Sequence, residues 1–188
     1  MKLIIASDIH GSALYCERLL RAFADTNADK LVLLGDLLYH GARNALPDEY
    51  NTIQVFEQLN AVSEHIVAVR GNCDSEVDQL VLDFPLGADY TQLYVDKRLF
   101  FITHGHLYSE SDPPRLPTGS ILCTGHTHIA ACHEHDRFVY INPGSVSLPK
   151  GGTPRSYVLY DDGCFSWYDL DSKECWKRYR LDDGKTAW

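Results

Sequence analysis

Lys2-Leu3-Ile4-Ile5-Ala6-Ser7-Asp8-Ile9-His10 is the stretch on which the fold turns. An apolar, β-branched run stops abruptly at Asp-x-His and is followed by Gly11. Such a run reads as a short buried strand that ends in a loop. Ser12 then stands where it can cap a helix running to about residue 25, with Leu14, Leu19, Leu20 and Phe23 roughly on one face. Residues 30–34 repeat the buried-strand pattern and stop at Gly35-Asp36. Ile53, Val55, Phe56, Leu59 and Val62 recur at mostly helical spacing over 51–62, and residues 65–69 form a third strand that stops at Arg70-Gly71-Asn72. The first 72 residues therefore read β-α-β-α-β, the order of a parallel sheet with helical crossovers.

The second half is richer in strands. Residues 93–95 and 99–103 flank Asp96-Lys97, 121–124 and 138–141 are further short strands, and 156–160 and 164–170 flank Asp162-Gly163, a strong hairpin signal. Residues 174–181 read as a last edge strand, and the proline-rich stretch 111–119 as a flexible surface excursion. Tyr157, Tyr160, Phe165, Trp167 and Tyr168 recur at strand spacing; core and sheet surface is the simplest reading, a subunit interface the other. The expected fold is α/β: a four-layer α-β-β-α sandwich of two mixed sheets flanked by helices.

The 188 residues suit a single domain over 1–188, and 45% hydrophobic with 23% charged residues is an ordinary globular balance. A net charge of −9 repels long polyanions, so extended nucleic-acid binding is not expected. It does not exclude a small phosphate ester, because bound divalent cations would invert the field inside a cleft. Six scattered cysteines, none in a C-x(2–4)-C pair, argue against a zinc ribbon and for reduced thiols. The apolar opening reaches Asp8 too soon for a signal peptide, and no run approaches a membrane span, so the expected location is the cytoplasm.

Nearly every buried strand ends in a residue able to bind metal: Asp8-x-His10, Gly35-Asp36, Gly71-Asn72, His104-Gly105-His106 and Gly125-His126-Thr127-His128. In open α/β sheets ligands bind beyond the carboxyl ends of the strands. Asp and Asn bring hard oxygen donors and His a borderline nitrogen, a mixture that suits manganese, iron, cobalt or zinc. A carboxylate such as Asp36 has two oxygens and can bridge two cations about 3.5–4 Å apart. Each piece alone has a plain explanation as a cap or turn residue. The conjunction, in this order and each at a strand end, carries the reading.

These residues resemble the calcineurin-like metallophosphoesterase superfamily over about 1–150. The stretches Gly71-Asn72-Cys73-Asp74-Ser75, Asn142-Pro143-Gly144-Ser145 and Leu148-Pro149-Lys150-Gly151-Gly152 are similar to its small bacterial YfcE-type phosphodiesterases. The resemblance implies two divalent ions, manganese foremost with zinc, iron or cobalt as substitutes. Asp8, His10 and His128 would hold one, Asn72, His104 and His126 the other, and Asp36 both. It further implies a hydroxide between the ions that attacks phosphorus in line, with Asp36, Asn72 and Cys73 at the reacting centre and a small phosphodiester as substrate. A phosphomonoesterase and a non-enzymatic scaffold of the same fold are the alternatives. Relatives of this fold make a homodimer plausible.

One position departs from the pattern. Many relatives carry histidine after the Gly-Asn pair, where it is thought to assist the leaving group; here it is Cys73. A thiol is a weak donor and a poor substitute for imidazolium. Either Cys73 narrows the substrate range toward diesters with good leaving groups, or it fills space. Arg43 and Asn44 could contact a phosphate oxygen and His40 could shuttle a proton, or all three belong to an ordinary polar loop. Asp74 could orient a ligand histidine, or cap a helix beginning near Ser75. His106 could help position substrate, and Asn142-Pro143-Gly144-Ser145 could brace the loop carrying His126 and His128; a surface role and a plain turn are the simpler readings.

Overall fold

The computed structural model describes residues 1–181. Its first elements are β1 (Leu3–Ala6), α1 (Ala13–Thr26), β2 (Lys30–Leu33), α2 (Thr52–Asn60) and β3 (Ile66–Ala68), the order read from the sequence. Then follow β4 (Tyr90–Val95), β5 (Arg98–Thr103), β6 (Ser120–Cys123), β7 (Ala130–Glu134), β8 (Phe138–Pro143), β9 (Ser156–Asp161), β10 (Cys164–Asp169) and β11 (Cys175–Arg180). They build a six-stranded sheet, β11-β10-β9-β1-β2-β3, and a five-stranded sheet, β4-β5-β6-β8-β7. Both are mixed: β1 pairs parallel with β2 and antiparallel with β9, and β5 antiparallel with β4 and parallel with β6.

The two-residue period of the strands sorts side chains into three layers. Ile4 and Ala6 of β1 and Leu31 and Leu33 of β2 face the helices, packing with Cys16, Leu19, Val55 and Leu59. Their alternates Leu3, Ile5, Val32 and Leu34 face the second sheet, against Phe100, Ile102, Ile121 and Ile141. Tyr160, Phe165 and Trp167 fill the same space between the sheets, whereas Tyr157 is buried on the helix side and Tyr168 is partly exposed there. Burial of each such side chain contributes roughly 1.5–3 kcal/mol. On the far side of the second sheet lie Leu99, Phe101, Leu122, Phe138 and Tyr140.

The two sheets with helices outside agree with the expected sandwich, and the outer layers differ from one another. Both α-helices lie on the first sheet. The far face of the second is covered by irregular chain, through Tyr108 and the buried Leu116. The stretch 111–119 is mostly exposed, as a surface excursion should be, but its Leu116 is buried against the sheet and anchors it there. The strand β7, not among the strands expected from the sequence, pairs antiparallel with β8 in a hairpin at the edge of the second sheet, and His133 and His135 lie in that hairpin as surface residues. No helix begins at Ser75; a 3-10 turn, Asp78–Leu80, stands there instead. Among the described residues no helix is long and apolar enough to cross a membrane.

Local signals behave as their chemistry predicts. Ser12 caps α1, its hydroxyl accepting from the Tyr15 N–H at 3.4 Å, and Asn27 ends the helix in the left-handed region. Asp162 and Gly163, both at positive φ, turn β9 into β10.

Candidate metal centre

Five of the seven expected metal-binding residues, Asp8, His10, Asp36, His126 and His128, have φ between 50° and 66°. L-residues other than Asn, Asp and Gly seldom adopt that backbone, and such strain persists only where surrounding structure over-determines it. Here the determinant is close approach of strand ends. A Cβ on Gly71 would stand 2.1 Å from Asp36 Oδ1 and 2.5 Å from its backbone nitrogen. A Cβ on Gly125 would lie 1.8 Å from Ser7 Oγ and 2.7 Å from Asp8 Oδ2. Only glycine lets these neighbours meet.

All seven side chains converge. Asp8 Oδ1 lies 3.5 Å from His10 Nε2 and 3.3 Å from His128 Nε2, and the two histidine nitrogens are 3.2 Å apart. On the other side, His104 Nε2 lies 3.1 Å from Asn72 Oδ1 and 3.2 Å from His126 Nδ1. Asp36 Oδ2 stands between the groups, 3.4 Å from His104 Nε2 and 3.8 Å from His10 Nε2.

Whether these residues fit a cation is decided by their outer contacts. His10, His104 and His128 turn Nδ1 to the backbone oxygens of Tyr39, Leu34 and Leu148 at 2.8, 2.7 and 2.7 Å. A carbonyl only accepts, so each Nδ1 carries the proton, and in the neutral ring each Nε2 turns a lone pair inward. Asp8 Oδ2 accepts from the His126 N–H at 3.0 Å, whereas Asp8 Oδ1 is fully buried and accepts no hydrogen bond among the described residues. A buried carboxylate oxygen without a donor, facing inward lone pairs, is the donor set of a cation site.

Electrostatics in the metal-free protein point the same way. Burial alone would raise the Asp8 carboxyl, yet the imidazoles of His10 and His128 hold it well below the ordinary carboxylate range. Burial likewise disfavours a charged His104, but the contact with Asp36 and the charge of Asp8 overcome it and push that ring up to about 9. His126 moves down, through burial and then the neighbouring charge of His104.

A second layer holds the first, and most of it was not visible in the sequence. Asp74 neither orients a histidine nor caps a helix. Its carboxylate accepts from the N–H groups of Asp36, Leu37 and Gly71 at 2.7, 2.8 and 2.7 Å, which locks the end of β2 to the end of β3. Asn142 does brace the neighbouring loop: its amide donates to Gly125 O at 2.9 Å and Thr127 Oγ1 at 3.1 Å. Ser145 and Ser147 donate to the Asp8 carbonyl at 2.8 and 3.2 Å. Serines and backbone carbonyls carry no signal of such roles; only the Asn-Pro-Gly-Ser stretch pointed there.

An open cleft of about 830 Å³ lies over the centre, lined by Asp36, Asn72, His126 and His128 and also by Tyr39, Arg43, Asn44, Cys73, Ser75, Thr127 and Lys150. Arg43, Asn44 and Cys73 line this cleft. His40 is not among the lining residues; its ring packs edge-on against those of Tyr39 and Tyr50. His106 also lies outside the lining, with its ring 5.4 Å from that of His104. Tyr39 and Lys150 also line the cleft; Lys150 lies in the Leu148-Pro149-Lys150-Gly151-Gly152 stretch, to which the sequence assigns no contact.

Comparison with known proteins fits this geometry. The calcineurin-like phosphoesterase superfamily domain matches residues 1–162. Phosphodiesterase YfcE of Escherichia coli K12 is 49% identical over 173 residues, covering 92% of this chain and 94% of its own. Phosphodiesterase MJ0936 of Methanocaldococcus jannaschii is 30% identical, covering 85% and 92%. A solved structure of the E. coli phosphoesterase Yfce superposes with a TM-score of 0.94 at 45% identity, over 97% of this chain and 100% of that one. With more than four-fifths of its length matched and a cation donor set at its strand ends, the chain belongs to the calcineurin-like phosphoesterase superfamily, as a metal-dependent phosphoric ester hydrolase.

Proposed function

We propose that this chain is a phosphodiesterase that hydrolyses small phosphodiesters with two divalent metal ions, manganese first among them. The observation that carries the reading is Asp36 Oδ2, set between His104 at 3.4 Å and His10 at 3.8 Å, where one carboxylate can serve two cations. Asp8, His10 and His128 would hold one ion, Asn72, His104 and His126 the other. The bound ions supply Lewis acidity that makes water nucleophilic near neutral pH and neutralises charge on the phosphoryl group. Asp8, Asp36 and the three carbonyl-anchored imidazoles keep the donor set rigid, and Arg43 and Asn44 offer donors to the substrate. The phosphodiesterases at 49% and 30% identity support the choice of diester. A cytoplasmic setting belongs to the same reading, supported by six cysteines that are all free thiols.

Cys73 bears on the leaving group. In the metal-free chain burial, and after it the Asp36 carboxylate, push its thiol up to about 12, so there it is a thiol near neutral pH. A thiol is a weak proton donor, which favours diesters whose leaving groups need little protonation. Cys73→His is expected to shift the diester-to-monoester ratio of kcat/KM toward monoesters by about tenfold or more. The check is a panel of matched aryl esters; an unchanged ratio would leave Cys73 a space-filler.

The direct test is chelation followed by titration with manganese on a generic diester, with bound metal counted by mass spectrometry. Activity should vanish, then return as the count reaches two ions per chain. A fully active chelated protein would end the reading. The pH dependence has a definite sign. In the metal-free chain, the raised pKa of His104, about 9, stabilises the fold fully below its ordinary value of 6.5, and that contribution is lost as pH climbs through 9. Metal must displace that proton, so apparent metal affinity should rise across the same window. Melting curves with and without manganese from pH 6 to 9 should diverge as pH rises; a constant separation would contradict the assignment.

A further inference from the structure

Above the centre, the cleft is built for more than a bare diester. Its volume of about 830 Å³ is near the top of the roughly 300–1,000 Å³ range of small-molecule sites. Two cations line it, Arg43 and Lys150. Neither side chain has an ion-pair or hydrogen-bond partner among the described residues, in a chain whose net charge is −9. They stand on separate walls. Arg43 tips a tight turn in which the Asn44 N–H donates to Gly41 O at 3.1 Å and the Asn44 amide to His40 O at 2.9 Å. That turn abuts Cys73, whose sulfur lies 3.0 Å from where a Cβ on Gly41 would stand. Lys150 belongs to the wall that carries His128, its N–H donating to the His128 carbonyl at 2.9 Å.

The cleft's own carboxylates cannot quench these cations. Asp74 is occupied by three backbone N–H groups, and Asp36 by the Cys73 N–H at 2.8 Å and the histidines. Once two divalent ions are bound, Asp8 and Asp36 offset only half of their charge, and Arg43 and Lys150 add to the surplus. A simple diester carries a single negative charge. The rim also presents Tyr39, 43% exposed, whose ring offers a flat apolar face.

We propose that Arg43 and Lys150 are specificity-determining residues that select phosphodiesters bearing a second anionic group, a further phosphate on a nucleoside-sized body, with Tyr39 as the stacking surface. The proposal rests on the phosphodiesterase reading and deepens it.

The test compares two esters with the same leaving group, thymidine 5′-(p-nitrophenyl phosphate) and the same compound with an added 3′-phosphate, on the manganese-loaded protein. The wild type should favour the 3′-phosphorylated ester in kcat/KM by roughly tenfold or more. Lys150→Gln and Arg43→Gln should each cut that preference by roughly three- to fivefold, and 0.5 M salt should collapse it. The readout is a ratio within one protein, so a general loss of folding or metal cannot mimic it. Equal turnover of both esters by the wild type would overturn the selection and leave the phosphodiesterase reading standing. A preference untouched by both substitutions would overturn the assignment to these residues. Hydrolysis of neither ester, with two ions bound, would overturn both.

Discussion

Asp36→Asn is expected to lower kcat/KM on a phosphodiester by on the order of 10³-fold and to reduce bound metal from two ions toward one. The substitution preserves shape and removes charge, so packing is not what changes. Asp36 Oδ1 accepts from the Cys73 N–H at 2.8 Å while Oδ2 faces His10 and His104. An amide cannot satisfy both sides. With its oxygen on Cys73, its NH₂ points at the ions; with its oxygen toward the ions, its NH₂ opposes the Cys73 N–H. Either way the centre loses a negative charge where burial already makes charge expensive, and where His104 now holds the Asp36 carboxyl down against that burial. Metal counting and steady-state kinetics on the same preparation check it. Full turnover with two ions bound would remove Asp36 from between them.

Asp74→Ala should have the largest effect on stability. Asp74 is 7% exposed and touches no expected ligand side chain through its carboxylate; it accepts from three backbone N–H groups of two loops. Truncation strands three donors, at about 1–3 kcal/mol each, partly relieved if water enters. A loss of about 3–5 kcal/mol follows, or a fall in Tm of roughly 10 °C for a chain of this size. Because those loops carry Asp36 and Asn72, metal affinity should fall with it. Asp74→Asn should be intermediate, since one amide oxygen can still accept from part of the set. Chemical denaturation of the metal-free proteins separates the structural loss from the loss of metal. A change below 1 kcal/mol in Asp74→Ala would show that the loops are held by something else.

Much of the centre was legible because its signals are local. A buried strand must be apolar along its length, so a carboxylate, amide or imidazole at its end is conspicuous, and five such ends named all seven side chains that converge. The β-α-β-α-β reading of the first 72 residues rested likewise on short-range pattern, since β-branched runs and 3.6-residue spacing are written in neighbouring positions. Where the pattern was weak, the structure decided. The edge strand β7 needs no apolar alternation, because one side of its ladder is open. The stretch 111–119 lies mostly on the surface, and what the sequence pattern does not reveal is that Leu116 anchors it to a sheet face.

The second layer of the site was legible only in the Asn142-Pro143-Gly144-Ser145 brace, and the rest escaped for a different reason. Asp74, Ser145 and Ser147 act through hydrogen bonds to backbone groups that lie from 3 to 139 positions away in the chain. Any polar residue can do that, and none announces which carbonyl or N–H it will meet. The amino-acid order by itself determined which donors the strands deliver and the alternation that stacks two sheets, because these follow from covalent geometry and burial. Only the folded chain decided that Asp36 stands between two histidine groups, that Asp8 keeps a buried oxygen without a donor among the described residues, and that Arg43 and Lys150 line one cleft. Those are distances between residues remote in sequence, and they exist only after the sheets have packed.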